Sequence, residues 1–154
     1  MNIVPFLREY HNLVASDFGE AEFSAIRVLC PGLSTAKLGK LLNRASYYLE
    51  KDEIYCEIGT FTGYTLISAS IHNSTRKFLG IDNFRLIGDA TTPEHQNWVR
   101  ERLKTNLEHF KHGNQIWIDS DFRNINLKDK IGVFFIDGHH TKDEVLENFK
   151  WGHR

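Results

Sequence analysis

The stretch Ile54-Tyr55-Cys56-Glu57-Ile58-Gly59-Thr60-Phe61-Thr62-Gly63-Tyr64 decides how the rest of the chain is read. An apolar run ends on a carboxylate, a turn with two glycines follows, and a helical pattern begins at once. In an open α/β sheet, a parallel strand that stops this way delivers its turn to the ligand crevice. The identities inside the turn narrow the ligand. A dinucleotide-binding turn needs a glycine where Phe61 stands, so that the backbone can approach a pyrophosphate, and a third glycine where Tyr64 stands. Both places are filled by aromatic side chains. The turn is therefore expected to receive a ligand with an adenosine but no phosphates, and a nicotinamide-dependent oxidoreductase is disfavoured.

The flanking sequence predicts a parallel sheet. Strands are expected at Ile54–Ile58, Lys77–Ile81, Gln115–Ile118 and Gly132–Ile136, each an apolar run bounded by polar residues. Between them the spacing predicts helices over Thr62–Ile71, from Thr92 to Gly113 with Pro93 at its first position, and over Lys142–Trp151. A helix capped by Ser34 precedes the first strand, with Leu38, Leu41, Leu42, Ala45, Tyr48 and Leu49 on one face. Two short helices, around Pro5–Val14 and Ala21–Leu29, come earlier. The expectation is an α/β fold, a Rossmann-like parallel sheet of order 3-2-1-4 with helices on both faces. Residues 1–32 form an N-terminal helical segment and residues 33–154 the sheet domain.

All four predicted strands end on polar residues: Glu57, then Asp82-Asn83, then Asp119-Ser120-Asp121, then Asp137-Gly138-His139-His140. One acidic strand end is a common turn feature, but four on one edge point to a ligand site. Asp82 stands about 25 residues beyond Glu57, near the offset of about 20 at which an acid meets ribose hydroxyls. Glu57 suits a cationic amino group, or a cap on the following helix. Asp137 emerges from a buried strand and could bind a hard cation such as Mg2+. His139, two residues on, is a candidate general base because imidazole titrates near neutrality. His140 is expected at a helix start or on the surface, and the other histidines are scattered. No zinc-ligand spacing, nucleophile elbow, Walker turn or Cys-x-x-Cys occurs.

Composition excludes several classes. The 19 Lys and Arg residues against 20 Asp and Glu give a formal net charge of −1, with no basic patch for nucleic acid. No apolar run reaches the length of a membrane span or a signal peptide. Cys30 and Cys56 are the only cysteines, and Cys56 falls within a predicted buried strand, so a reducing cytoplasm is expected. No internal repeat or low-complexity segment interrupts the chain.

These motifs together resemble a class I S-adenosylmethionine-dependent methyltransferase. Glu57-Ile58-Gly59-Thr60-Phe61-Thr62-Gly63-Tyr64-Thr65 is similar to the first motif of small-molecule O-methyltransferases of the catechol and caffeoyl-coenzyme A type. Phe135-Ile136-Asp137-Gly138-His139-His140-Thr141 resembles the strand-four motif of the macrolide and aminocoumarin sugar O-methyltransferases. The resemblance runs from about Leu33 to Trp151. It implies S-adenosyl-L-methionine as cofactor, its methionine part lined by Glu57, Gly59, Thr60, Phe61, Thr62, Gly63 and Tyr64. It implies that Asp82 with Asn83 holds the ribose, that Phe84 lies beside the adenine, and that Asp121-Phe122 meets the adenine amino group. It also implies Asp137 as a Mg2+ ligand and the residue at 139 as general base, where the family more often has Asp.

Relative to the family's seven-stranded sheet the chain is short, and the strand-five Asp/Asn pair of the metal site has no counterpart. Strand four is then expected to be an apolar edge, covered by a missing C-terminal segment or by a second copy of the chain. Two functions follow as expectations. The first is methyl transfer to a small-molecule hydroxyl, and the second is a non-catalytic cofactor-binding or protein-interaction module of the same fold.

Overall fold

The computed structural model describes residues 1–15, 19–85, 92–112, 114–138 and 141–153. Four parallel strands form its centre: β1 (Glu53–Ile58), β2 (Lys77–Asp82), β3 (Asn114–Asp119) and β4 (Lys130–Ile136), in the order β3-β2-β1-β4. Among the described residues, six α-helices accompany them, α1 (Ile3–Ala15), α2 (Glu20–Leu29), α3 (Ala36–Tyr47), α4 (Tyr64–Ser70), α5 (Pro93–His109) and α6 (Lys142–Gly152), with a short 3-10 turn at Phe122–Asn124. The α/β class and the strand order match the expectation. The strands extend the predicted apolar runs by a residue or two at their polar ends. The cap before α3 is Thr35 rather than Ser34, its hydroxyl accepting from the Leu38 N–H. Thr92 caps α5 ahead of Pro93 as its sequence requires. Gly113, expected to stop α5, lies outside the described residues.

Alternation along β1 divides the core. Tyr55 turns to the α3–α4 side, where it packs with Leu42, Leu49, Leu66, Ala69 and Phe78. Ile54, Cys56 and Ile58 turn to the other side, with Leu79, Ile81 and Trp151 of α6. Both faces of β1 are covered, which is why its six residues are all buried and read as a continuous apolar run interrupted only by glutamates. Both cysteines are buried and free. Burial pushes their thiols up, Cys30 to about 12, so neither is a reactive thiolate. Among the described residues no helix is long and apolar enough to cross a membrane.

Several hydrogen bonds hold the connection from β1 to α4. The Gly59 N–H donates to the Ile81 carbonyl at 2.8 Å. The Thr62 hydroxyl donates to the Pro31 carbonyl at 2.6 Å, and Asn106 of α5 donates to the Thr62 carbonyl at 2.8 Å. The Tyr64 hydroxyl donates to the Thr35 carbonyl at 3.1 Å. Gly63 caps α4 with φ 92°, and a Cβ there would lie 2.7 Å from Leu103 Cδ1. Gly63→Ala should therefore destabilise the protein by about 1–3 kcal/mol through left-handed strain and overpacking. A urea melt checks this, with a lower midpoint and an unchanged slope expected.

Candidate functional site

A cavity of about 380 Å³ opens beyond the carboxyl ends of the four strands. Its wall takes Ile58 and Gly59 from the end of β1, Ile81, Asp82 and Asn83 from β2, Ser120, Asp121 and Phe122 after β3, and Asp137 and Gly138 after β4. The volume lies in the range of small-molecule and cofactor sites. Its position follows from topology, because α4 and α6 leave β1 and β4 on opposite faces and open a crevice between them.

Gly59 forms the floor with φ 94°. A Cβ on it would sit 2.4 Å from the Asp137 carbonyl oxygen and 2.7 Å from the Gly138 nitrogen. Only a glycine lets the first turn lie against the end of β4, where the Asp137 N–H donates to the Ile58 carbonyl at 2.8 Å. Phe61 borders the cavity in a left-handed conformation, φ 47°. This is an uncommon state for a bulky residue.

Asp82 stabilises that conformation. Its Oδ2 accepts from the Phe61 N–H at 2.8 Å and its Oδ1 from the Phe84 N–H at 2.6 Å. Burial raises the Asp82 carboxyl above its ordinary value, while the N–H groups of Phe61, Phe84 and Thr60 pull it back. Asn83 closes a small turn, its Oδ1 accepting from the Arg85 N–H at 3.0 Å.

Asp121 is in the opposite electrostatic state. Arg123 grips it bidentately, Nε to Oδ1 at 2.8 Å and one terminal nitrogen to Oδ2 at 2.5 Å. That grip holds the carboxyl well below the usual range, at about 2. Phe122 follows on the cavity wall, its ring edge-on to Trp151 with centroids 6.0 Å apart.

Not every residue expected in the site reaches the cavity. Glu57 is fully buried on the α4 side of β1 and does not line it. Tyr55 donates to its Oε2 at 2.6 Å, while Oε1 has no hydrogen-bond partner. Burial raises this carboxyl to about 8, the Tyr55 and Thr65 hydroxyls only partly offsetting it, and Asp137 and Asp82 add repulsion. Burial therefore favours the protonated form of Glu57 beneath the site. Thr60, Thr62, Gly63 and Tyr64 are structural parts of the turn rather than wall residues. Phe84, expected beside the base, is fully buried instead. With φ 53° its ring turns under α5, packed with Val99 and Leu103 and covered by the Arg100 guanidinium at 4.7 Å. His139 and His140 lie outside the described residues, as does the 86–91 part of the loop after Asn83.

Sequence reasoning missed several wall residues. Leu33 stands fully exposed at the lip, Arg85 and Arg123 bring positive charge, and α6 contributes Glu144 and Asn148. None carries a motif. The signal for the α6 pair was only their spacing of one helical turn, which also fits a solvated face.

Residues 56–154 match the family model described as Methyltransferase domain. The match covers more than half of the chain, and the chain belongs to that family. No curated protein matches it. The family generally uses S-adenosylmethionine, and the residues present fit such a ligand. The cavity has the volume for it, Gly59 lets the first turn close against β4 at its wall, and Asp82 and Phe122 bring a carboxylate and an aromatic ring to its lining. Among the described residues no three His, Cys, Asp or Glu side chains converge on a site that could hold a metal ion.

The buried acid makes stability depend on pH. Folding raises the Glu57 pKa from 4.5 to about 8, so the native state binds a proton that the unfolded chain releases. Its contribution is full below the unfolded value and is lost as pH rises through the folded one. The thermal midpoint of the wild type should fall between about pH 4.5 and 8, and Glu57→Gln should flatten that fall. Equal slopes for the two proteins would mean that Glu57 ionises normally.

Proposed function

We propose that the chain is an S-adenosylmethionine-dependent O-methyltransferase acting on a small-molecule hydroxyl. The observation that carries this is the cavity at the strand ends, lined by Gly59 and edged by Asp82, Asp121 and Asp137. Family membership supports methyl transfer in general. The phosphate-free character of the ligand follows from Phe61, whose side chain occupies the approach that a pyrophosphate would need.

When bound, the cofactor supplies an electrophilic methyl group on a sulfonium. Asp82 accepts from the ribose hydroxyls with the lone pairs that its backbone donors leave free. Gly59 and the Phe61 turn seat the methionine part. Asp137 would orient the acceptor hydroxyl, and His139 would take the proton that this hydroxyl gives up on methylation. Positioning of the two reactants provides much of the rate. Asp137, exposed at the mouth, is the side chain an entering small alcohol would meet.

Titration calorimetry with S-adenosylhomocysteine tests the binding half. Wild type should bind, and Asp82→Asn should bind roughly 10- to 150-fold more weakly, the loss of a charge-assisted hydrogen bond. A methyl-transfer assay against a panel of sugars, catechols and simple alcohols tests the chemistry. His139→Ala should keep cofactor affinity and lose about 10²- to 10⁴-fold in kcat, the usual contribution of a general base. Binding without any turnover would make the chain a cofactor-binding module, and absence of binding would end the cofactor reading.

A further inference from the structure

The sheet has one open apolar side. β4 pairs with β1 along a single edge, and among the described residues no strand pairs with its other edge. The Asp137 N–H faces β1, and the direction of the backbone groups alternates along a parallel strand. The N–H and C=O groups of Phe134 and Ile136 therefore point outward. All six residues of β1 are buried, whereas in β4 only Val133 is. An edge of this kind is a template for another strand.

The layers on both sides of this edge are apolar as well. On α6, Glu147 reaches back to Arg123 of the Phe122–Asn124 turn, so that flank of the helix faces the β3 side. Phe149 and Leu146 leave the helix on the opposite flank, beyond β4, and are 50 % and 46 % exposed. On the other layer α1 begins beside the start of β4, where Lys130 and the Met1 amino group share the Glu53 carboxylate. Ile3, Val4 and Leu7 of α1 are all more than half exposed. Single exposed apolar side chains need no explanation, but a group of them around an unpaired strand marks an interaction surface.

A second copy of the chain fits this surface. A two-fold axis normal to the sheet pairs β4 with itself in the antiparallel sense and sets the two α6 helices side by side, also antiparallel. The charges then complement one another. α6 carries Asp143 and Glu144 in its first turn and Lys150 in its last, so the acidic end of each helix meets the basic end of its partner. β4 begins at Lys130 and is followed by Asp137, so the strand ends are matched in the same way. A strand of seven residues is about 23 Å long. With a helix of about 10 Å diameter on each layer, the edge presents a face of roughly 600 Å². Stable dimers bury about 600–1,000 Å² on each partner.

We infer that the free edge of β4, with the Leu146–Phe149 flank of α6, is the interface of a two-fold dimer that joins two four-stranded sheets into one. The cavities of the two copies lie at opposite ends of the joined sheet, so the dimer leaves both open.

Sedimentation equilibrium of the chain at micromolar concentrations should give twice the chain mass. Leu146→Glu with Phe149→Glu places like charges across the axis and should weaken the dimer on the order of 100-fold or more. Hydrogen exchange should show the Phe134 and Ile136 amides protected in the wild-type dimer and exchanging at least tenfold faster in the double variant. Both native cysteines are buried, so an introduced one can be read alone. Leu146→Cys should cross-link between copies with a short bismaleimide, and Ile116→Cys on the far edge of the sheet should not. The cross-linking contrast and the wild-type exchange carry the test if the double variant does not fold. A monomeric wild type would mean that the edge takes some other partner and would overturn the inference. A dimer that survives the double substitution, or equal cross-linking at both cysteines, would overturn it too.

Discussion

The site depends on one buried carboxylate. Asp82 at the end of β2 accepts the N–H groups of Phe61 and Phe84, two aromatic residues that both adopt left-handed backbone conformations. Each is an unfavourable state for a bulky residue. Hydrogen bonds to a desolvated carboxylate are among the stronger ones available to a backbone N–H, and here they join the turn after β1 to the end of β2. With the turn held, Gly59 lies against the backbone of Asp137 and the ends of β1, β2 and β4 share one crevice. Phe84 becomes a core residue beneath α5, while Phe61 remains on the wall.

Environment gives the site's carboxyl groups different charges although their chemistry is the same. Glu57, enclosed on the α4 side, keeps its proton near neutrality. Asp121, gripped by a guanidinium, stays ionised to about 2. Asp82 lies between them, raised by burial and lowered by its backbone donors. The crevice can therefore gather several acids without the mutual repulsion of a fully ionised cluster. Glu57 beneath the floor is the member that relieves this repulsion, at the expense of stability as pH rises.

The two walls of the cavity differ in origin. The strand tips supply the glycine floor and the carboxylates, and these follow directly from sheet topology. The α6 wall supplies Asn148, and its presence at the cavity depends on how α6 packs against β4 and the Phe122 turn through Trp151. Trp151 donates from its indole N–H to the Ile125 carbonyl at 2.9 Å, which fixes the rotation of the helix about its axis.

Much of this was legible in the residue order. Apolar runs closed by acids, a glycine turn and amphipathic helices indicated the strands, the helices and the polar strand ends that carry the cavity, because period and punctuation are local properties of the chain. Thr92 ahead of Pro93 likewise announced α5. What only tertiary structure decided was the direction in which each polar side chain points. Glu57 and Asp137 both end apolar runs, yet the register of β1 sends one under α4, and the end of β4 leaves the other at the mouth. Phe84 looked like a wall residue until a left-handed backbone turned it inward. Asn148 has the spacing of a solvated helix face, yet it lies buried beside the cavity. A side chain's partners lie far away in sequence, so pattern along the chain determines the scaffold, while packing determines which atoms of that scaffold meet a ligand.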